Sequence, residues 1–493
     1  MKNKLLVFLL FPIAVLAQTQ IGQNIFPELY NEHSGWSVAI SSDGQTVASA
    51  AQPVEIDGVF FSRVRVYVFD GQDYMQIGQT LEIENYESPY TWIKGRVSLS
   101  ADGNILAMST PFYGPSERDG ITKIFQYNGT EWQQLGQDIL GEEEELKGYS
   151  ISLSADGMIA AILSYGSAYN PNSYYGNLTV YQYNGTDWEQ LGQKLEGYSV
   201  TNAYYSFAMG SVSLSNDGTR MVVGMPHTYS APSPPGEVWA YEYTETSWEL
   251  LGQPILNDGQ YALYAWDVDL SGDGNTIAIG SHPINGPGIA KMVELIDDQW
   301  IQKGERVFGD QEGDYFGTSV SLSDNGTIVA VGAPLANNST SYFEGYTSIY
   351  KFTGTDWSQL GTPIYGNNEY DYSGFEVALS AVGDILAVGT PNFTNEPFTN
   401  SGVVRVYGLA GILSTESYVN HHFSVYPNPA QESLRILLDN DVQLIEASIY
   451  NSVGQFIKKE FKTTIDIAEL ASGTYYIQLV SDKGKHTTNF VKK

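Results

Sequence analysis

An all-β chain is what this sequence predicts, and three observations predict it. Glycine (50) and tyrosine (35) are abundant while charged residues make up only 16%, a mix that favours short strands and tight turns over long charged helices. The stretch DYFGTSVSLSDNGTIVAVGAP, residues 314–334, recurs in recognisable form along the chain, seven copies in all. Six of the seven copies turn on Asp-Gly or Asn-Gly, the dipeptide that accepts the positive φ angles of a two-residue hairpin. Together these predict a seven-bladed β-propeller closed by an N-terminal strand, followed by a small β-sandwich tail.

The first element, residues 1–17, is processed rather than folded. Lys2 and Lys4 form a basic start, Leu5 to Leu16 is an apolar run of 12 residues, and Val15-Leu16-Ala17 supplies small residues for cleavage. This reads as a secretory signal peptide, too short for a membrane span. Cleavage is expected to leave Gln18 first. No later stretch is long and apolar enough to cross a bilayer as a helix. The chain has no cysteine, which excludes disulfides, thiolate metal sites and cysteine catalysis.

Residues 18–411 carry the repeat. Besides the stretch at 314, the copies are GWSVAISSDGQTVASAA from Gly35, GRVSLSADGNILAMSTP from Gly95 and GYSISLSADGMIAAILS from Gly148. GSVSLSNDGTRMVVGMP follows from Gly210, AWDVDLSGDGNTIAIGS from Ala265 and GFEVALSAVGDILAVGTP from Gly374. Their turn glycines, Gly44, Gly103, Gly157, Gly218, Gly274, Gly326 and Gly383, lie 52 to 61 residues apart. A second block such as FQYNGTEWQQLGQ at 125 or YQYNGTDWEQLGQ at 181 follows each of the first six copies. Each unit thus gives four strands: an alternating Ser-Val-Ser-Leu-Ser, a doubly apolar run, a Tyr-x-Tyr segment and a Trp-bearing strand with Leu-Gly-Gln.

One detail tests the ring. The seventh copy ends at GVVRVYGLAG and lacks its fourth strand, while QTQIGQNI at residues 18–25 matches WQQLGQDI at 132–139 without its Trp. The N-terminal segment therefore supplies the missing strand and leaves no open edge. The fixed place of Trp132, Trp188, Trp248, Trp300 and Trp357 points to packing between blades.

Phe316-Gly317 and Gly332-Ala333-Pro334 resemble the FG-GAP repeat, the blade unit of integrin α-chain propellers and of many bacterial surface proteins. The resemblance covers residues 20 to about 410. That family often carries a calcium loop between its first two strands. Here the connection is a two-residue turn with one carboxylate, where calcium needs six to eight oxygens. The nearest match, Asp267, Asp269, Ser271 and Asp273, aligns Asp267 and Asp269 with strand positions, so both are expected as exposed strand residues. The family's calcium loops are therefore not matched and no cofactor is expected, with calcium left open as the one alternative.

After a polar linker at 412–422, residues 423–493 form a second domain with short alternating strands. Tyr426-Pro427-Asn428-Pro429, IYNSVGQ with Gly454, LASGTYYIQLV with Gly473, and the final Lys492-Lys493 resemble the type A C-terminal sorting domain of the type IX secretion system. The resemblance implies export through the outer membrane of a Bacteroidota-type bacterium, with the secretion machinery as partner of the tail.

The net charge is −32, yet residues 423–493 carry 8 basic and 8 acidic side chains, so the acidity lies in the repeats. Such a surface repels nucleic acid. Six histidines are scattered, with neither HExxH nor Gly-x-Ser-x-Gly. A glycosidase-like carboxylate pair stays open on sequence alone.

Alternating strand direction puts the short repetitive turns on one face of the disc and long irregular loops on the other. Function concentrates in variable loops on rigid scaffolds, and tyrosine offers contact area at low entropy cost. The candidate ligand contacts are Tyr113, Tyr174, Tyr175, Tyr204, Tyr205, Tyr264, Tyr315, Tyr342 and Tyr370. The expectation is a monomeric, secreted or surface-displayed, non-catalytic binding or adhesion protein with an unknown glycan or protein ligand. The alternatives are a secreted glycan-degrading enzyme and a structural surface-layer component.

Overall fold

The computed structural model describes residues 18–493 except 86–95, 115–117, 166–175, 198–209, 227–235, 258–263, 282–285, 338–341, 395–399, 410–422, 427–428, 439–443, 452–455 and 482–483. Two compact units divide the chain, Met1–Leu413 and Ser414–Lys493. Strands and turns make up the described residues, with no helix among them.

The first unit contains seven antiparallel sheets of four or five strands. Their innermost strands are Ser37–Ile40, Val97–Leu99, Lys147–Leu153, Ser211–Leu214, Tyr264–Leu270, Ser319–Leu322 and Glu376–Leu379. Each lies beside the next in chain order, and Glu376–Leu379 lies beside Ser37–Ile40, so the array closes in a β-propeller-like ring. We number the sheets 1 to 7 in that order. The second strands are buried along all of their length, as Ile328–Ala333 is, or all but the first residue, because sheets cover both faces.

Sheet 7 takes its outer strand from the other end of the chain. Thr19 pairs with Gly408 and Gln20 with Tyr407, antiparallel. Ile25 exchanges both backbone hydrogen bonds with Val404, at 2.9 and 3.1 Å. The N-terminal strand expected from the truncated last repeat is therefore in place.

Each outer strand is clasped to its neighbour. The Trp188 indole N–H donates to Leu135 O at 2.8 Å, Gln137 Nε2 donates to Trp188 O at 2.8 Å, and Trp188 N donates to Gln137 Oε1 at 2.7 Å. The same set joins Gln79 to Trp132 and Gln193 to Trp248. Gly136 between them has φ +75°, and a Cβ there would lie 2.8 Å from Trp188 Cδ1. Leu-Gly-Gln is thus a socket, and only glycine admits both the backbone and the ring. At sheet 6 the socket holds Gln18 instead, whose Nε2 donates to Thr362 O at 2.7 Å.

The second unit holds two sheets. One joins Phe423–Tyr426, Ser433–Leu438 and Thr464–Asp466, and the other joins Phe456–Glu460, Leu444–Asn451, Gly473–Ser481 and Gly484–Lys492. Leu434, Ile436, Ala447, Ile449, Ile465, Ile477 and Phe490 form their shared core.

Candidate functional site

Two features of the first unit bear on function: a central well and the loop face around its mouth.

The well follows from the spacing of the inner strands. They are not paired in a ladder, so their inward N–H groups need another acceptor. Serine supplies it. Leu153 N donates to Ser98 Oγ at 3.1 Å, Leu214 N to Ser152 Oγ at 3.0 Å, Leu270 N to Ser213 Oγ at 3.1 Å and Leu379 N to Ser321 Oγ at 3.0 Å. The alternating Ser-x-Ser of the repeat is this set of ties.

Sheet 5 departs from it with Asp267 and Asp269. Asp267 accepts from Ser211 Oγ at 2.8 Å and Val320 N at 2.9 Å, and Asp269 from Ser213 Oγ at 2.8 Å and Leu322 N at 2.7 Å. Each carboxylate therefore ties sheets 4, 5 and 6 together. These aspartates are not the exposed strand residues expected from alignment: Asp267 is buried and both line the well. The strand position was right, but on an inner strand the outward-alternating side chains face the well and the neighbouring inner strands instead of the outer surface.

At the turn end, a ring of backbone hydrogen bonds closes the well. Ser42 N donates to Ala101 O, Ala101 N to Ala155 O, Ala155 N to Asn216 O, Asn216 N to Gly272 O, Asp324 N to Ala381 O and Ala381 N to Ser42 O, all between 2.8 and 3.0 Å. Where that chain skips from Gly272 to Asp324, Asn216 Nδ2 reaches Asp324 Oδ2 at 2.7 Å. Above the ring lies a cavity of about 210 Å³ lined by all seven inner strands.

At the other end of the inner strands Arg96 Nη1 meets Glu376 Oε1 at 2.7 Å. Burial pulls the Arg96 guanidinium down, but Glu376, then Asp267 and Tyr149, hold it above its ordinary value. Burial pushes the Asp269 carboxyl up to about 7, against hydrogen bonds from Leu322 N and Ser213 and with Asp267 adding to the rise.

The loop face is held by a second repeated device. In four joints between consecutive sheets a buried acid sits three residues before a glycine, flanked by two residues in left-handed conformation. These are Asn31-Glu32-His33, Glu144-Glu145-Leu146, Gly313-Asp314-Tyr315 and Tyr370-Asp371-Tyr372. Each acid folds its loop back on itself. Glu32 accepts from Leu29 N at 3.1 Å, Glu145 from Glu142 N at 2.7 Å, Asp314 from Gln311 N at 2.9 Å, and Asp371 from Asn367 N and Asn368 N at 2.9 and 3.0 Å.

Of the nine candidate tyrosines, Tyr174, Tyr175, Tyr204 and Tyr205 lie outside the described residues. Tyr342 and Tyr370 are 63% and 49% exposed and adjoin, with Tyr370 N donating to Tyr342 O at 2.8 Å. Tyr113 and Tyr315 are half-buried. Tyr264 corrects the expectation, being 1% exposed. It opens the inner strand of sheet 5 and packs with Val238, Ala240 and Val268, so it belongs to the core.

In the tail, Tyr426 and Pro429 are exposed, and Pro427, Asn428 and Gly454 lie outside the described residues. Gly473 pairs with Lys492, and Lys493 N donates to Ala430 O at 2.8 Å, so the chain end meets the segment after Pro429. Among the described residues no group of three His, Asp or Glu could hold a metal ion, and no helix is long and apolar enough to cross a membrane.

Residues 424–493 match the secretion system C-terminal sorting domain. The chain is accordingly secreted or attached at the outer-membrane surface, and its tail is the address read by the type IX machinery. No curated protein matches it. Among solved structures it is similar to a Bacteroides uniformis protein named a 6-phosphogluconolactonase, at 11% identity and TM-score 0.46, covering 68% of this chain and 87% of that one. It is also similar to the periplasmic gluconolactonase of Pseudomonas aeruginosa, at 13% identity and TM-score 0.45, covering 67% and 85%. A third is Chaetomium thermophilum Sqt1 bound to the N-terminus of ribosomal protein L10, at 14% identity and TM-score 0.46, covering 80% and 100%. Likeness at this level carries nothing about chemistry.

Proposed function

We propose that the chain is a seven-bladed β-propeller of FG-GAP type with a small β-sandwich sorting tail, working outside the cell as a monomeric, non-catalytic binding protein. Its working surface is the loop face, and it needs no cofactor. The observation that carries this reading is the loop lock. Buried acids fix the backbone of irregular loops from within, so the loop face is ordered before a ligand arrives. The well's carboxylates, by contrast, are taken up by donors of neighbouring sheets, which suits ties between blades.

Glycan and protein arrays probed with the secreted protein test the reading. Saturable binding is expected, and an array with none would remove its basis. One observation favours a second reading. The raised Asp269 carboxyl stands in the same well as Asp267 and Glu376, the kind of perturbation that marks acid–base sites. Polysaccharide turnover abolished by both Asp269→Asn and Glu376→Gln would replace the binding protein with a glycan-degrading enzyme.

A further inference from the structure

The left-handed residue before each locking acid is Asn31, Glu144, Gly313 or Tyr370, at φ 51, 58, 86 and 64°. Glycine and asparagine suit that conformation, and a bulky ring does not. A strained aromatic is ordinarily repaid by burial, yet Tyr370 is 49% exposed. Nothing in the lock requires an aromatic there, since the other three joints are locked without one.

Tyr370 does not stand alone. Its loop is tied to the loop between the second and third strands of sheet 6 by three backbone bonds. Tyr370 N donates to Tyr342 O at 2.8 Å, Tyr372 N to Phe343 O at 3.1 Å and Ser373 N to Glu344 O at 3.1 Å. Phe343, itself left-handed at φ 51°, lies edge-on under Tyr370 with ring centroids 5.7 Å apart. The Tyr370 ring, backed by Phe343, and the exposed ring of Tyr342 thus stand on two loops whose backbones are tied together, with exposed Asn367 and Asn368 just before Tyr370, the Asn368 Nδ2 also reaching Asp371 Oδ1 at 3.5 Å.

We propose that Tyr342 and Tyr370 form a stacking platform for an uncharged glycan, an assignment that rests on the binding reading given above and names its ligand class. The C–H face of a pyranose covers an exposed aromatic ring, and neighbouring amides pair with its hydroxyls. Charge decides between ligand classes. Among the described residues of the two loops Glu344 and Asp371 are buried, which leaves Glu369 as the exposed carboxylate. One carboxylate makes a poor clamp for a basic peptide, while the net charge of −32 opposes anionic glycans.

Native affinity gels cast with a mannan, a β-glucan and a xylan, with alginate and polylysine as charged probes, test the platform. The secreted protein is compared with Tyr342→Ala and Tyr370→Asn. Tyr370→Asn restores a residue that suits the backbone, so its melting temperature should hold or rise while binding falls. The expected result is retardation by at least one neutral polysaccharide and a tenfold or greater weakening in both variants. Retardation by polylysine alone overturns the glycan assignment and leaves the binding reading standing. Neutral-polysaccharide binding that both variants retain overturns the platform. Retardation by none of the probes overturns the assignment, and the wider arrays then decide the binding reading separately.

Discussion

Asp269→Ser should stabilise the protein in alkali and leave it nearly unchanged in acid. The carboxyl is raised to about 7 in the fold, against roughly 3.9 in an unfolded chain. A group raised on folding binds its proton more readily in the native state, so it favours folding below about pH 4. That advantage is lost as pH rises through 7. Three units correspond to about 4 kcal/mol at most, and the partial exposure of Asp269 to the well lowers the figure to roughly 2–4 kcal/mol.

Serine keeps the tie. Leu322 N needs one acceptor, and Ser152 and Ser321 serve equivalent amides at 3.0 Å. Ser213 Oγ already reaches Leu270 N at 3.1 Å. The assay is urea unfolding of both proteins from pH 4 to 9. The difference between the curves cancels the other titrating groups. A variant less stable than the parent at pH 8, or a difference that does not change with pH, would refute the reasoning.

Three further outcomes concern the sheet joints, one of them a turn glycine that serves as the control. Gly136→Ala places a methyl 2.8 Å from Trp188 Cδ1 at φ +75° and should cost about 2 kcal/mol or more in denaturant unfolding. Gly129→Ala, at φ +96° with open space around it, should cost only the backbone strain of about 1 kcal/mol. Deleting residues 18–25 removes the outer strand of sheet 7 and buried Ile25. The melting temperature should fall by roughly ten degrees or more; an unchanged melt would show that the segment does not close the ring.

Much of the first unit was legible because its repeat prints local physics seven times. Asp-Gly gives the hairpin, the doubly apolar run gives the second strand, and the absent fourth strand of the last copy points to the N-terminus. What the serines do was not legible. Small residues at alternate positions read only as strand alternation, whereas Ser98, Ser152, Ser213 and Ser321 each accept from an amide one sheet away. The small second residue of each turn, Ser42, Ala101, Ala155, Asn216, Gly272, Asp324 and Ala381, carried a signal for the ring that closes the well. An acid three residues before glycine carried one for the loop lock.

Tyr264 was misplaced because loop and strand meet without a turn residue to mark the border. The tail strands Phe423–Tyr426, Thr464–Asp466 and Gly484–Lys492 are short or polar and give little alternation to read. The Asp269 shift arises from tertiary burial that no local pattern reveals.

The joint at Gln18 differs from its companions in one respect. The other clasps join residues close in sequence, such as Gln137 and Trp188 at a separation of 51, whereas Gln18 meets Thr362 across 344. Six joints can form as successive repeats emerge, but the seventh must wait for nearly the whole unit and bears most of the loop-closure entropy. Until then both ends of the array present bare strand edges. A chain truncated, frameshifted or one repeat short would keep those edges for good and stay open to proteases and to aggregation. The final contact therefore works as a test of completeness, passed only by a chain with both its first and its last strands.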